Sequence, residues 1–104
     1  MNTTKEIGRE KQILDSVNEI GEPTKTWMLM VIAELGGAPH HTLIKNSHVT
    51  EMLSRCPDRG SFTKQAELFV LCVHGEKPPD NPLVIQKRAE ASKACTELEK
   101  VIYG

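Results

Sequence analysis

The chain has 104 residues, 38% of them apolar and 26% charged, with a formal net charge of -1. That length holds one domain with a single modest core, and the composition excludes a disordered tail. A near-neutral chain is not a generic polyanion binder, so any anion-facing surface has to be local.

Charge is unevenly distributed. Residues 1–36 carry four Lys/Arg against six Asp/Glu, residues 37–93 eight against six, and residues 94–104 one against two. All four histidines also lie in the mildly basic middle. Cys56, Cys72 and Cys95 are odd in number and form no CxxC pair, which points to a reducing, cytoplasmic setting. The N-terminus has no apolar core of a signal peptide. The longest apolar runs, "WMLMVIA" and "LFVLCV", fall far short of the ~18–20 residues a membrane span needs.

The first expected helix runs from Thr4 to Ile20. Thr3 and Glu6 form a capping box, Ile7, Ile13, Leu14, Val17 and Ile20 gather near one face, and Gly21 is the left-handed stop. Lys5, Glu6, Arg9, Glu10 and Lys11 read as a solvated face. The second helix runs from Pro23, at the first helical position, to Leu35. It is apolar almost all round and therefore central, and Gly36-Gly37 ends it.

Residues 42–47, "TLIKNS", fit a short strand, a helical turn or a loop. Ser47 caps a third helix, His48 to Cys56, with Val49, Met52, Leu53 and Cys56 at i, i+3, i+4, i+7. Pro57 halts it. A four-residue turn, "PDRG", leads to a fourth helix that starts after Ser61 and ends before Gly75. Phe62, Ala66, Phe69, Val70 and Val73 share one face. Leu68, Leu71 and Cys72 add a second apolar side, expected to pack into the domain. The run "LFVLCV" also fits a buried strand, but its length and caps favour helix. After the breaker-rich "GEKPPDNP", Asn81-Pro82 starts a fifth helix to Tyr103, with a seam of Ile85, Ala89, Ser92, Cys95, Leu98 and Ile102.

The layout of the fourth helix has a chemical reading. Its last turns are apolar while its first turns present Thr63, Lys64, Gln65 and Glu67, the arrangement of a helix set into a DNA major groove. Lys64 reaches phosphate or guanine, Gln65 pairs with adenine, and Arg55, Arg59 and Ser61 hold the backbone around the turn. In this order the elements "TKTWMLMVIAELGG", "SHVTEMLSRC" and "SFTKQAELFVLCVHG" resemble the winged helix-turn-helix superfamily over roughly residues 24–87. The resemblance implies a β-hairpin wing at "GEKPPDNPLVIQK", with Lys77, Lys87 and Arg88 as phosphate contacts, and a homodimer made by the terminal helices. A helix start at Asn81-Pro82 leaves that wing short or missing.

The expectation is thus a mainly α protein of about five helices, a helix-turn-helix core with terminal helices around it. Its expected role is that of a small DNA-binding regulator, such as a repressor or a partition or copy-control protein. The alternative is a non-enzymatic helical protein–protein interaction module, or a small phage or plasmid inhibitor of a larger machine. No enzyme is expected. Cys72 and His74 are no nucleophile pair, because the thiol lies in the most apolar run. No Ser-His-Asp set, phosphate loop or carboxylate pair has suitable spacing. His40, His41, His48 and Cys56 lack metal-ligand spacing, so neither metal nor cofactor is expected. His74 at a helix end favours its charged form through the helix dipole, and Trp27 anchors the core.

Overall fold

The computed structural model describes the backbone of residues 2–39, 43–74 and 80–104, and the side chains of residues 8–39, 43–73 and 80–104. Five helices follow one another: α1 (Asn2–Glu19), α2 (Thr24–Leu35), α3 (Asn46–Arg55), α4 (Arg59–His74) and α5 (Pro82–Tyr103). There is no strand among the described residues.

Helix α1 starts at Asn2, so Thr3 lies inside it rather than at its cap. The Thr3–Glu6 side chains and Ile7 lie outside the described side chains. Ile13 and Val17 are buried, with Leu14 and Ile20 packed beside them. Gly21 does not adopt the left-handed conformation expected of it, which belongs to Gly37 and Gly104. A tightened turn, Ile20 N–H to the Val17 carbonyl at 3.1 Å, closes α1 instead. The face expected to be solvated is tied down in part. Glu10 accepts from Thr50 Oγ1, and Arg9 Nη2 donates to the Ile102 carbonyl at 3.4 Å.

Pro23 sits one position before the first helical residue of α2, not on it. The Glu22 carboxylate takes over the cap, accepting from Thr26 N–H at 2.9 Å and from Thr26 Oγ1 at 2.7 Å. The bond from the Thr26 hydroxyl holds that carboxyl below its usual range. As the all-round apolar pattern demands, α2 is central and packs on all four other helices. Gly36 and Gly37 end it. A Cβ on Gly36 would fall on the His48 carbonyl oxygen and within 2.7 Å of that of Ile32, so only glycine lets α2 and α3 approach this closely. Gly37 has φ +71°.

Leu43 to Lys45 form a loop, and Ser47, expected as a cap, lies inside α3. Lys45 occupies the cap position, and its N–H donates to His48 Nδ1 at 3.0 Å. The imidazole thus does what a Glu or Gln does in a capping box. Val49, Met52 and Cys56 are buried and Leu53 packs beside them.

Helix α4 begins at Arg59, earlier than expected, because Asp58 rather than Ser61 caps it. Asp58 Oδ1 accepts from Ser61 N–H at 2.7 Å, leaving Cys56, Pro57 and Asp58 as the whole connection. Phe62, Ala66 and Phe69 are buried, with Val70 and Val73 against the core. The second apolar side does not pack into the domain: Leu68 is 56% and Leu71 50% exposed, and Cys72 is exposed too. The reason is the arrangement of neighbours. Helix α4 lies along α5 and meets α2 only lightly, so one face alone has a partner.

Helix α5 opens on Asn81, whose Oδ1 accepts from Leu83 N–H at 2.8 Å, with Pro82 first in the helix. Residues 82–87 are therefore helix, and Lys87 and Arg88 sit on α5 rather than on a wing. Residues 75–79 lie outside the described residues. The buried line of α5 is Ala91, Ala94, Cys95, Leu98 and Ile102. Ile85, Ala89 and Ser92 of the expected seam face solvent instead. A straight helix of 3.6 residues per turn drifts away from a 3.5-residue line, so one face cannot bury the whole seam.

Two outcomes test these local arguments. Gly36→Ala should lower unfolding stability by about 3 kcal/mol through backbone overpacking, whereas Gly8→Ala, in open helix surface, should raise it by about 1 kcal/mol. Chemical denaturation measures both. The Ser61 N–H bond holds the Asp58 carboxyl below its ordinary value of 3.8, so its contribution is present above that pH and lost as pH falls through the folded value. Asp58→Ala should therefore melt lower than the parent protein at pH 7, with the two melting curves converging towards about pH 2.

Candidate interaction surface

The nine residues singled out for contacting DNA fall in separate places. Three are engaged within the fold at the start of α4. Arg59 Nη2 donates to the Gly104 carbonyl at 2.6 Å, and Thr63 Oγ1 lies 2.7 Å from Glu99 Oε1 and 2.9 Å from the Arg59 carbonyl. Ser61 is half-buried, its N–H held by Asp58. Arg55 pairs with Glu51 at 3.2 Å, and its Nη1 donates to the Leu35 carbonyl at 3.3 Å, capping the end of α2. Lys64 and Gln65 are exposed on the second turn of α4.

Lys87 and Arg88 are exposed in the first two turns of α5. They lie at the opposite end of the α4–α5 pair from Arg59. The antiparallel register sets Thr63 against Glu99 and Ala66 against Cys95. Lys77 lies outside the described residues, as do His40, His41 and the His74 side chain.

The α4–α5 corner is closed by one more polar contact. Tyr103 Oη donates to the Cys56 carbonyl at 2.6 Å, and its ring meets Phe62 edge-on, centroids 5.9 Å apart. Burial pushes the Tyr103 hydroxyl above its ordinary value. At the other end, Trp27 packs edge-on against Phe69 at 6.3 Å, and its Nε1 donates to Glu90 at 3.2 Å. Trp27, half-buried on α2, thus packs at the margin of the core rather than in it and links α2 to α4 and α5.

The feature that sequence reasoning missed is a groove between α2 and α4. It has a volume of about 770 Å³ and is lined by Met30, Leu35, Leu68, Phe69, Cys72 and Val73. Glu34, Arg55 and Gln65 stand at its edges. Leu68 and Met30 are exposed, the latter at 36%. The signal in the sequence was "LFVLCV", which carries more apolar faces than one neighbouring helix covers. A smaller groove, about 250 Å³, runs between α4 and α5 past Thr63, Glu67, Val70 and Thr96.

Among the described residues, no three His, Cys, Asp or Glu side chains converge as metal ligands, and no helix is long and apolar enough to cross a membrane. The chain matches no family model, no curated protein and no solved structure.

The three thiols differ sharply. Burial pushes Cys95 up to about 11 and raises Cys56 as well, whereas Cys72 opens on the α2–α4 groove. A maleimide added to the native protein at pH 7 should label Cys72 first. Cys56 and Cys95 should react at least about a hundredfold more slowly, at rates set by unfolding. Mass spectrometry of the time course reads this directly.

Proposed function

We propose that this chain is a non-enzymatic helical interaction protein whose α2–α4 groove receives an amphipathic helix of a protein partner. One observation carries the reading: the last turns of α4 present Leu68, Leu71 and Cys72 to solvent beside an apolar groove. Exposed apolar side chains that are contiguous and edged by charge mark sites of association. Two helices splayed over a third leave the space that a docked helix fills, with anchors at i, i+3, i+4 and i+7. Covering Leu68, which is 56% exposed, supplies roughly 1–2 kcal/mol before the cost of association.

A second reading, a small DNA-binding regulator, is favoured by the exposed Lys64 and Gln65 of α4 together with exposed Lys87 and Arg88. Weighing against it, Arg59 and Thr63 spend their polar groups on the Gly104 carbonyl and on Glu99. The acidic Asp58 and Glu99 also lie around the same helix start.

Two measurements separate the readings. A photo-cross-linking residue in place of Leu68 should capture a discrete protein partner, the capture should be lost on adding Met30→Asp on the opposite wall of the groove, and the same residue in place of Lys11 should capture none. Fluorescence anisotropy with a labelled random duplex should stay flat at low and moderate salt. Binding that weakens steeply with salt, and further in the Arg59→Glu, Lys64→Glu double variant, would replace the groove reading with the DNA reading.

A further inference from the structure

Beside the groove, the surface holds a second exposed feature on α5, one large apolar side chain followed by two small ones, the last of which borders the α4–α5 groove. Ile85, Ala89 and Ser92 lie at i, i+4 and i+7, so they share one helical face, and that face is turned to solvent, with Ile85 50% exposed. Arg88 and Lys93 stand on either side of it, both exposed. Neither takes part in an ion pair among the described residues.

The groove has the complementary properties. Its α4 wall, from Gln65 to Val73, is about 12 Å long, and the stripe from Ile85 to Ser92 is about 11 Å long. Of the two charges at its edge, Arg55 is already paired with Glu51 and bonded to the Leu35 carbonyl. Glu34 is exposed and in no ion pair among the described residues, so the charge left over is acidic. The small Ala89 and Ser92 allow a helix to settle deeply between two others, while Ile85 supplies the apolar anchor.

Groove and stripe are also close along the molecule. The antiparallel α4–α5 register puts the last turns of α4 beside the first half of α5. Groove and stripe therefore lie at the same end of the molecule, which is one requirement of a two-fold dimer in which each copy donates its stripe to the other's groove. Such an isologous contact uses every complementary pair twice.

Building on the groove reading above, we infer that the occupant of the α2–α4 groove is a second copy of this chain. The Ile85–Ala89–Ser92 face of α5 inserts between α2 and α4, with Arg88 and Lys93 flanking Glu34.

Sedimentation tests this on the intact chain. The wild-type protein should sediment at twice its 11.6 kDa mass and dissociate on dilution. Leu68→Asp and Ile85→Asp should each weaken the dimer by about tenfold or more while leaving the circular dichroism spectrum unchanged. Glu34→Lys should weaken it several-fold, and adding Arg88→Glu with Lys93→Glu should restore it. Oxidation of the Ile85→Cys variant should link it to Cys72 of another copy, and the link should vanish on adding Cys72→Ser. A dimer indifferent to Leu68→Asp or to Ile85→Asp overturns the inference. So does a wild-type chain that stays monomeric at all concentrations. If that monomer still cross-links another protein through position 68, the groove reading stands and only its occupant is wrong. If it cross-links nothing, both fall.

Discussion

Packing against α5 is the constraint from which the rest of the structure follows. Its buried line includes Ala91 and Ala94, both without exposed surface, and these short side chains let neighbouring helices lie close along it. Helix α2 takes one side of that line and α4 the other, while α1 closes over the C-terminal part. Helix α4 packs mainly on α5 and meets α2 only lightly, at Trp27 against Phe69. The α2–α4 groove is the geometric remainder of that arrangement, with Leu35 and Phe69 at its bottom and Met30 and Leu68 at its open edges.

The C-terminal end of α5 has a different task. There the α3–α4 corner is fastened by Tyr103 to the Cys56 carbonyl, by Arg59 to the Gly104 carbonyl and by Thr63 to Glu99. In this three-residue corner the Cys56 carbonyl accepts from Tyr103 of α5 and the Asp58 carbonyl from Phe62 N–H of α4, while Arg59 and Thr63 donate in the other direction, to the C-terminal end of α5. The hydroxyl of Thr63 and one guanidinium nitrogen of Arg59 are thereby committed to the fold, while Lys64, Gln65 and Glu67 stay exposed as expected. The difference from expectation lies in the C-terminal half of α4: Phe69, Val70 and Val73 pack inward, but Leu68, Leu71 and Cys72 face outward.

The exposed side chains of α4 support the groove reading proposed above: burying Leu68 and its apolar neighbours would gain free energy by excluding water, which suits an apolar partner better than a phosphate backbone. The α5 stripe is the occupant proposed for that groove, and its length and flanking charges match it.

Much of the architecture was legible in the sequence. The all-round apolar α2, the Gly36-Gly37 stop, the Pro57 break and the Asn81-Pro82 start each rest on the chemistry of a few adjacent residues, and local chemistry survives folding. Helix ends were read less well where a competing group lay close by: Asp58 capped α4 ahead of Ser61, Glu22 capped α2, and His48 completed the cap of α3. Which apolar face is covered was not legible at all. Leu68 and Phe69 are neighbours in one run, equally apolar to a reader of the sequence, yet one is exposed and the other buried. The same holds for Ile85 and Leu98 in a single expected seam. Periodicity determines which residues share a face, because that follows from 3.6 residues per turn. Only the tertiary structure decides which face finds a neighbour, because coverage depends on where distant helices lie, and here α4 packs along α5 and only lightly on α2.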